Sequence, residues 1–220
     1  MNPIQFRRHL HMHPELSFRE HDTAAFISAR LSELGIEHRP IAGTGVLAKI
    51  EGRGKADPKR RAVVLRADID ALPIDERNDA DWRSRNQGVM HACGHDMHAA
   101  VLFGVLQQLA AEPDFRGTIF GLFQPGEETF EDARAAIADG LLQDPRPQVA
   151  FAMHVNSQSP LGLVLYGSPA LSGVYGFRIT LQGKGGHGSS PEICIDPITA
   201  GVHVHLALQE LIAREVPAAK

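Results

Sequence analysis

Apolar runs that alternate with helical segments constrain the fold of this chain more than any other feature. Residues 62–67, 118–124 and 149–154 form apolar runs of strand length. Between them, residues 95–113 and 131–138 carry apolar side chains at helical spacing. Strands separated by such helices indicate crossover connections between parallel neighbours. The sequence therefore predicts an α/β fold with a mostly parallel sheet flanked by helices.

The N-terminal part adds helices and a further strand. Residues 3–34 are predicted to be helical, with an early interruption at Pro14 and a stop at Gly35. Residues 45–50 are a predicted strand. Residues 75–88 are rich in Asp, Asn, Arg and Gly and are predicted to form a loop.

The pattern changes after Pro160. Residues 176–183 alternate between apolar and polar side chains, and residues 197–214 have helical spacing. One strand and one helix cannot close a hydrophobic core. We therefore predict two incomplete domains, over 1–172 and 173–220, and we expect the chain to be truncated.

Composition and charge exclude several classes of protein. The 220 residues carry a formal net charge of −4, which argues against a nucleic-acid surface. No apolar run reaches the roughly 18 residues of a membrane span, and the N-terminus lacks the apolar core of a secretory leader. Two cysteines, Cys93 and Cys194, are too few for a disulfide framework, although a single disulfide between them is a possible alternative. We expect a cytoplasmic protein that acts on small molecules.

A cysteine and a histidine precede the helix predicted near residue 95. Cys93 and His95 flank a glycine, and residues two apart on an extended loop point the same way, so both can reach one ion. Asp96 is a candidate for orienting His95 from outside the ligand shell. The alternative is a buried cysteine with Asp96 capping a helix.

Two further clusters follow predicted strands. Glu127 and Glu128 come after the run over 118–124, and adjacent glutamates diverge. One can bind an ion while the other holds a water as general base; the alternative is a solvated helix start, where acids favour the helix dipole. His154 closes its own strand, with a core histidine as the alternative.

These clusters all lie at the carboxyl ends of predicted strands, where open α/β sheets bind ligands. Cys, His and Glu are suitable ligands for zinc, manganese or a similar divalent ion, and they need not share one ion. Asp68 and Asp70 follow the run over 62–67. They are candidates either for support from the outer shell or for direct ligation.

The motifs RADIDALPI, HACGHDMH, QPGEE and AMH, with the later GGHGSSP and IDPI, resemble the metallopeptidase-type amidohydrolases. That family includes hippurate hydrolase, N-acyl-amino-acid amidohydrolases and auxin–amino-acid conjugate hydrolases. The resemblance implies a catalytic domain with two divalent ions, here residues 1–172. It also implies a smaller α+β lid domain that mediates homodimerisation, which begins here at residue 173.

The resemblance also implies roles for individual residues. Glu127 would be the general base, and the metal ligands would be Cys93, His95, Glu128 and His154, with Cys93 able to bridge the ions. The metals would be zinc or manganese, with cobalt or nickel as substitutes in vitro. His187 would hold the substrate or the oxyanion; without the resemblance it is an ordinary loop histidine between glycines.

The implied reaction is hydrolysis of the amide bond of N-acyl amino acids, either hippurate-like or N-acetylated, by a metal-activated water. Two departures stand out: the family's next histidine ligand lies beyond this chain, and Glu192 stands where relatives often carry a histidine. We therefore expect this chain by itself to be inactive. The alternatives are an inactive fragment with a partial metal site, and a di-metal aminopeptidase or dipeptidase of the same fold.

Overall fold

The computed structural model describes residues 1–54, 59, 61–143, 145–166 and 176–215. The chain divides into two compact units, Met1–Pro160 and Leu161–Lys220. This division lies before the predicted domain boundary between residues 172 and 173. Residues 167–175 lie outside the described residues, so that boundary stays a prediction.

The described residues of the first unit form four α-helices and five strands. They are, in chain order, α1 (Pro3–Met12), α2 (His21–Glu33), β1 (Glu37–Ile41), β2 (Gly45–Glu51), β3 (Ala62–Asp68), α3 (His95–Ala111), β4 (Thr118–Gln124), α4 (Asp132–Ala138) and β5 (Pro147–Ala152). Every helix and strand predicted for this region is present, and β1 is an addition. Its sequence EHRPI has little apolar pattern, and it pairs along β2 at the edge of the sheet, where proline is tolerated.

The five strands form one mixed sheet in the order β1-β2-β4-β3-β5. β3 runs parallel to both of its neighbours, β4 and β5. β2 is antiparallel to β1 and to β4, so it alone in this sheet runs against the other four strands. The carboxyl ends of β3, β4 and β5 consequently meet at one edge.

Hydrophobic layers cover both faces of the sheet. On one face, α1, α2 and α3 pack around Phe6, Leu31 and Phe103, with the Phe6 and Phe103 rings stacked 4.3 Å apart. On the other face, Ala136 of α4 packs against a smaller cluster that includes Phe120. The connections α3 and α4 thus lie on opposite faces, and the chain reverses its direction across the sheet at β4, because α4 leads back past β3 to β5. The switch point lies between the carboxyl ends of β3 and β4. A crevice forms at such a switch point.

The start of helix α1 is fixed by a capping box in its sequence. The Asn2 side chain accepts a hydrogen bond from the Gln5 backbone N–H, while the Gln5 side chain accepts one from the Asn2 backbone, so both form a capping box ahead of Pro3. The helix ends at Met12, before Pro14. Helix α1 packs against α3, and its side chains Arg7 and His11 contact Asp96 at the start of α3.

The second unit is described by one long helix and a short turn. Helix α5 (Pro197–Arg214) is capped at its N-terminus by Asp196, whose side chain accepts a hydrogen bond from the Ile198 N–H at 2.8 Å. The strand predicted over 176–183 is wrong, because the structure assigns no strand to these residues. The described part of this unit offers no partner strand, and an alternating sequence needs one to complete its backbone hydrogen bonds.

In the described residues, no helix is long and apolar enough to cross a membrane.

Candidate metal centre

His95 lies at the middle of the predicted site. It is the first residue of α3, is 1% exposed, and its ring Nδ1 lies 2.9 Å from the Asp70 carbonyl oxygen and 3.1 Å from Asp70 Oδ1. Both of these partners are acceptors, so Nδ1 carries the proton and donates. Nε2 is buried and has no hydrogen-bond partner within the described residues. Its lone pair is therefore directed at the edge of the sheet.

Asp70, one of the outer-shell candidates from the sequence, contacts His95, whereas the sequence pointed to Asp96 as the candidate for orienting this histidine. Asp96 Oδ2 instead accepts hydrogen bonds from Arg7 Nε at 2.8 Å and from His11 Nδ1 at 2.9 Å, both on α1. The interpretation of Asp96 as the partner of His95 is thus wrong. Consecutive residues of a helix point about 100° apart, so Asp96 turns towards α1 when His95 turns towards the site.

Glu127 and Glu128 follow β4 in a single 3₁₀ turn. Glu128 Oε1 lies 3.8 Å and Glu127 Oε2 lies 3.9 Å from His95 Nε2. The Glu128 backbone N–H donates to Asp70 Oδ2 at 3.0 Å, so Asp70 positions this turn as well as His95. Glu128 Oε1 is buried and, like His95 Nε2, lacks a hydrogen-bond partner among the described residues.

Cys93 and His154 meet on another side of His95. Cys93 Sγ lies 3.3 Å from His154 Nε2, although β5 ends at Ala152, two residues before the histidine. His154 Nδ1 lies 2.7 Å from the Val155 carbonyl oxygen and must donate to it. Nε2 of His154 is therefore the atom with a free lone pair, and it faces the thiol.

Asp68 lies at the end of β3, beside His95. Its Oδ2 lies 2.7 Å from Arg66 Nη1 and 3.7 Å from His95 Nε2, and its Oδ1 lies 2.5 Å from His98 Nδ1. His98 was missed as a candidate from the sequence. The signal was its spacing of three residues from His95 on one helix, which puts both imidazoles on the same face.

Among the residues that the structure describes, three groups of side chains are close enough to hold a metal ion, and His95 belongs to all of them. The ligand atoms of each group lie within 4.8 Å of one another; the groups are Cys93–His95–His154, Asp68–His95–His98 and His95–Glu127–Glu128. A buried imidazole lone pair facing a buried carboxylate oxygen is unfavourable unless a cation lies between them. The orphaned atoms of His95 and Glu128 therefore fit a divalent ion.

Negative charge dominates the electrostatics of this centre. Burial, together with the charges of Glu128 and Glu127, raises the pKa of the Cys93 thiol to about 11. Burial acts to raise the pKa of Asp68, but the hydrogen bond from His98 and the charge of His95 outweigh it and lower that pKa to about 2. A bound cation would offset the repulsion that keeps the thiol protonated.

Glu127 is more exposed than its neighbour Glu128 and has a raised pKa. Burial and the charges of Asp68 and Glu128 raise the pKa of Glu127, and His95 opposes this shift only in part. The Glu127 side chain is 33% exposed, against 21% for Glu128. A more accessible carboxylate with a raised pKa is suited to accept a proton from water.

Gly94 separates the two candidate ligands and has a left-handed backbone, with φ of 86°. A Cβ on this residue would lie 2.5 Å from Val155 Cγ2. We expect Gly94→Ala to lower the free energy of unfolding by more than the roughly 1–2 kcal/mol that left-handed strain costs, because contact with Val155 adds to it. Chemical denaturation measures this loss.

Gly43→Ala is the matched control for that substitution. Gly43 has φ of 82°, and no atom lies within 4 Å of its added Cβ. This variant therefore reports backbone strain alone. Equal losses at Gly94 and Gly43 would contradict the contribution from the Val155 contact.

Glu20 fixes the turn that carries the two glutamates. It is fully buried, its Oε1 accepts a hydrogen bond from the Gly126 N–H at 2.9 Å, and its Oε2 accepts one from the Thr44 hydroxyl. We expect Glu20→Ala to cost roughly 2–3 kcal/mol of unfolding free energy, because two buried donors lose their acceptor. Glu20→Gln retains an acceptor and the side-chain volume, and is expected to cost less.

The difference between wild type and Glu20→Gln should depend on pH. Burial raises the pKa of Glu20 above its ordinary value of 4.5, against the opposing hydrogen bonds from Thr44 and Gly126. The folded state therefore favours the protonated acid, and this stability is lost as pH rises from 4.5 through the raised pKa. Urea unfolding between pH 4 and 8 should show Glu20→Gln gaining relative to wild type, and a constant difference would contradict this.

His187 lies in the second unit, in the loop before the short Pro191–Ile193 turn. Its Nδ1 lies 2.8 Å from Ser189 Oγ and accepts a hydrogen bond from the Ser189 N–H at 3.3 Å. Nε2 is thereby left to donate to a ligand. Its role with a substrate stays a prediction, and Glu192 lies in the Pro191–Ile193 turn that follows.

Comparison with known proteins connects this arrangement to a family. Residues 64–168 match the family model described as Peptidase family M20/M25/M40. The chain is 41% identical over 216 residues to an N-acetyl-L-cysteine deacetylase of Bacillus subtilis, covering 97% of this chain and 50% of that protein. It is also 41% identical over 224 residues to an N-acyl-L-amino acid amidohydrolase of Geobacillus stearothermophilus, covering 97% and 57%.

A solved structure supports the same family. A dinuclear metal-binding peptidase of the M20 family from Bacillus subtilis superposes with a TM-score of 0.68 at 39% identity, covering 73% of this chain and 44% of that one. The chain spans about half the length of the curated relatives it matches.

Proposed function

From the membership of this chain in the peptidase family M20/M25/M40, we propose that the whole protein is a metal-dependent amidohydrolase that cleaves the amide bond of N-acyl amino acids. The observation that carries this proposal is the pair of buried, unpartnered atoms, His95 Nε2 and Glu128 Oε1, 3.8 Å apart. The names of two relatives at 41% identity supply the substrate class.

Two divalent ions are proposed as cofactors, zinc or manganese in the native protein. The donor set supports this, because one thiol, two imidazoles and a carboxylate suit either ion. Cys93, His95, Glu128 and His154 would hold the ions. Two bound ions supply Lewis-acid polarisation of a carbonyl and a more acidic water.

Glu127 is the proposed general base. Its carboxylate accepts the proton of the attacking water and later returns it to the nitrogen of the leaving amine, giving a carboxylic acid and a free amino acid. Its raised pKa and its greater exposure support this role. Asp70 holds His95 and Glu128 in place while this proton moves.

His187 is proposed to donate a hydrogen bond to the carbonyl oxygen of the substrate as negative charge develops there. The engagement of its Nδ1 by Ser189 supports this, since Nε2 is then the donor. We also propose that the whole protein is a homodimer through its lid domain and resides in the cytoplasm. Light scattering at known concentration tests the dimer.

Two experiments test this function, the first on the purified chain and the second on the whole protein. The first is the metal content after dialysis against zinc or manganese, for which we expect bound divalent ion. The second is release of amino acid from hippurate, N-acetylcysteine and a simple dipeptide. Turnover of the N-acyl substrates supports an amidohydrolase, and turnover of the dipeptide alone supports an aminopeptidase or dipeptidase. Metal binding without any turnover supports the alternative of an inactive fragment, and absence of metal binding overturns the metal centre.

A further inference from the structure

His98 is close enough to Asp68 and His95 to be counted among metal ligands, but its hydrogen bonds exclude that role. The ring is 1% exposed. The Val155 backbone N–H, which can only donate, lies 3.0 Å from His98 Nε2. Nε2 is therefore the unprotonated acceptor, and Nδ1–H donates to Asp68 Oδ1 at 2.5 Å. Both ring nitrogens are thus engaged, and neither has a lone pair for an ion.

His154 needs support from elsewhere in the fold. It lies beyond the last residue of β5, an edge strand whose side chains are mostly exposed, and is itself exposed. A side chain in such a segment would sample many positions and lose affinity for an ion. His95 and Glu128, in contrast, are held directly by Asp70.

The contacts of His98 lead from the core to this exposed segment. Asp68 at the end of β3 accepts from His98, and His98 accepts from Val155. The Val155 carbonyl in turn accepts from His154 Nδ1, which directs His154 Nε2 to within 3.3 Å of Cys93 Sγ. The rings of His98 and His154 also pack edge to face, with centroids 4.6 Å apart.

We propose that His98 is a positioning residue that holds His154 beside Cys93 through the Val155 N–H, without contacting an ion. The inference rests on the proposed metal centre and assigns a further residue to it. This role requires His98 Nε2 to accept the hydrogen bond from the Val155 N–H. The hydrogen bond that Nδ1 donates to Asp68 contributes only by fixing the orientation and the tautomer of the ring.

Two substitutions separate these atoms. In His98→Gln, the side-chain oxygen reaches the position of Nε2 and can still accept from Val155. In His98→Asn, the amide nitrogen lies near the position of Nδ1 and can still donate to Asp68, but the acceptor for Val155 is lost. Cobalt titration of the chain reports both occupancy and the absorption band of a thiolate bound to the ion. We expect His98→Asn to weaken cobalt binding by roughly 10–100-fold, the usual cost of losing an outer-shell partner, and His98→Gln to stay within about threefold of wild type.

A double-mutant cycle with His154→Ala tests the route. If His98 acts only through His154, then His98→Asn has no further effect on cobalt affinity once His154 is alanine. An undiminished effect of His98→Asn in that background overturns the proposal, as do equal losses in His98→Asn and His98→Gln. A wild-type chain that binds no cobalt would instead overturn the proposed metal centre.

Two measurements on the wild-type chain test the same proposal without any substitution that could disturb folding. Nitrogen-15 NMR at pH 7.5 identifies the tautomer of His98, and we expect the proton on Nδ1. Hydrogen exchange of the Val155 amide should be slow in the metal-free protein, because His98 accepts its hydrogen bond. A proton on Nε2 of His98, or a Val155 amide that exchanges at the rate of an unprotected one, overturns the proposal.

Discussion

Glu128→Gln is expected to abolish tight binding of a divalent ion, while Glu127→Gln is expected to leave binding intact. Glu128 Oε1 is buried, unpartnered and 3.8 Å from His95 Nε2, and its backbone is fixed by Asp70. Replacing a charged ligand by a neutral amide should reduce affinity by more than the roughly 10–100-fold that an outer-shell loss costs. Isothermal titration with zinc or manganese measures the difference.

The same pair of variants separates binding from chemistry. Glu127→Gln retains shape and hydrogen bonding but cannot take up the proton of the attacking water, so any release of amino acid should fall by roughly 10²–10⁴-fold. The two variants are matched, because they make one chemical change at adjacent positions of one turn. If Glu127→Gln loses the metal and Glu128→Gln retains it, the prediction is wrong, and Glu127 would be the ligand and Glu128 the general base.

Asp70→Ala is expected to lower metal affinity by roughly 10–100-fold although Asp70 is proposed to touch no ion. Its Oδ1 lies 3.1 Å from His95 Nδ1, and its Oδ2 accepts hydrogen bonds from Ser17 Oγ at 2.7 Å and from the Glu128 N–H at 3.0 Å. Without this carboxylate, His95 retains only the Asp70 carbonyl oxygen, and the Glu128 turn loses its anchor. Zinc titration by competition with a chelating dye measures the loss.

Asp75→Ala provides a control for Asp70→Ala. Asp75 also accepts a hydrogen bond from a backbone N–H, that of Gly88 at 2.8 Å, but its side chain lies in an exposed loop. We expect this variant to bind zinc as wild type does. Wild-type affinity in Asp70→Ala would show that Asp70 does not organise the centre. A loss in both variants would point to a general effect on the fold.

The order of helices and strands in the first unit was predictable because it depends on local pattern. The apolar run over 118–124 and the helical spacing after residue 95 match β4 and α3. The orientation of β2 was not predictable in this way, since it follows from pairing with β1 and β4. The strand over 176–183 was predicted from a correct pattern that finds no partner within the described residues of its unit.

The candidate ligands were predictable for a related reason. Cys93, Glu128 and His154 each follow a strand or precede a helix, and parallel strands bring such ends together. Asp68, Asp70 and Asp96 were all candidates for outer-shell support, but which of these acids contacts which ligand was not predictable, because hydrogen bonds between distant segments leave no periodic signal. Asp96 is adjacent to His95 in sequence and turns away from it, while Asp70, 25 residues earlier, holds it.

By itself, the sequence determined the α/β class, the strand ends that carry the candidate metal ligands, and the resemblance to a family of two-metal hydrolases. These features are encoded in side-chain type and in spacing along the chain. Tertiary structure alone decided that Asp70 orients His95 and that His98 bonds to Asp68 and to the Val155 N–H. It also decided that His95 Nε2 and Glu128 Oε1 lie close together with no hydrogen-bond partner among the described residues. Such features depend on which segments meet, and packing across the sheet and helices, not local spacing, brings them together.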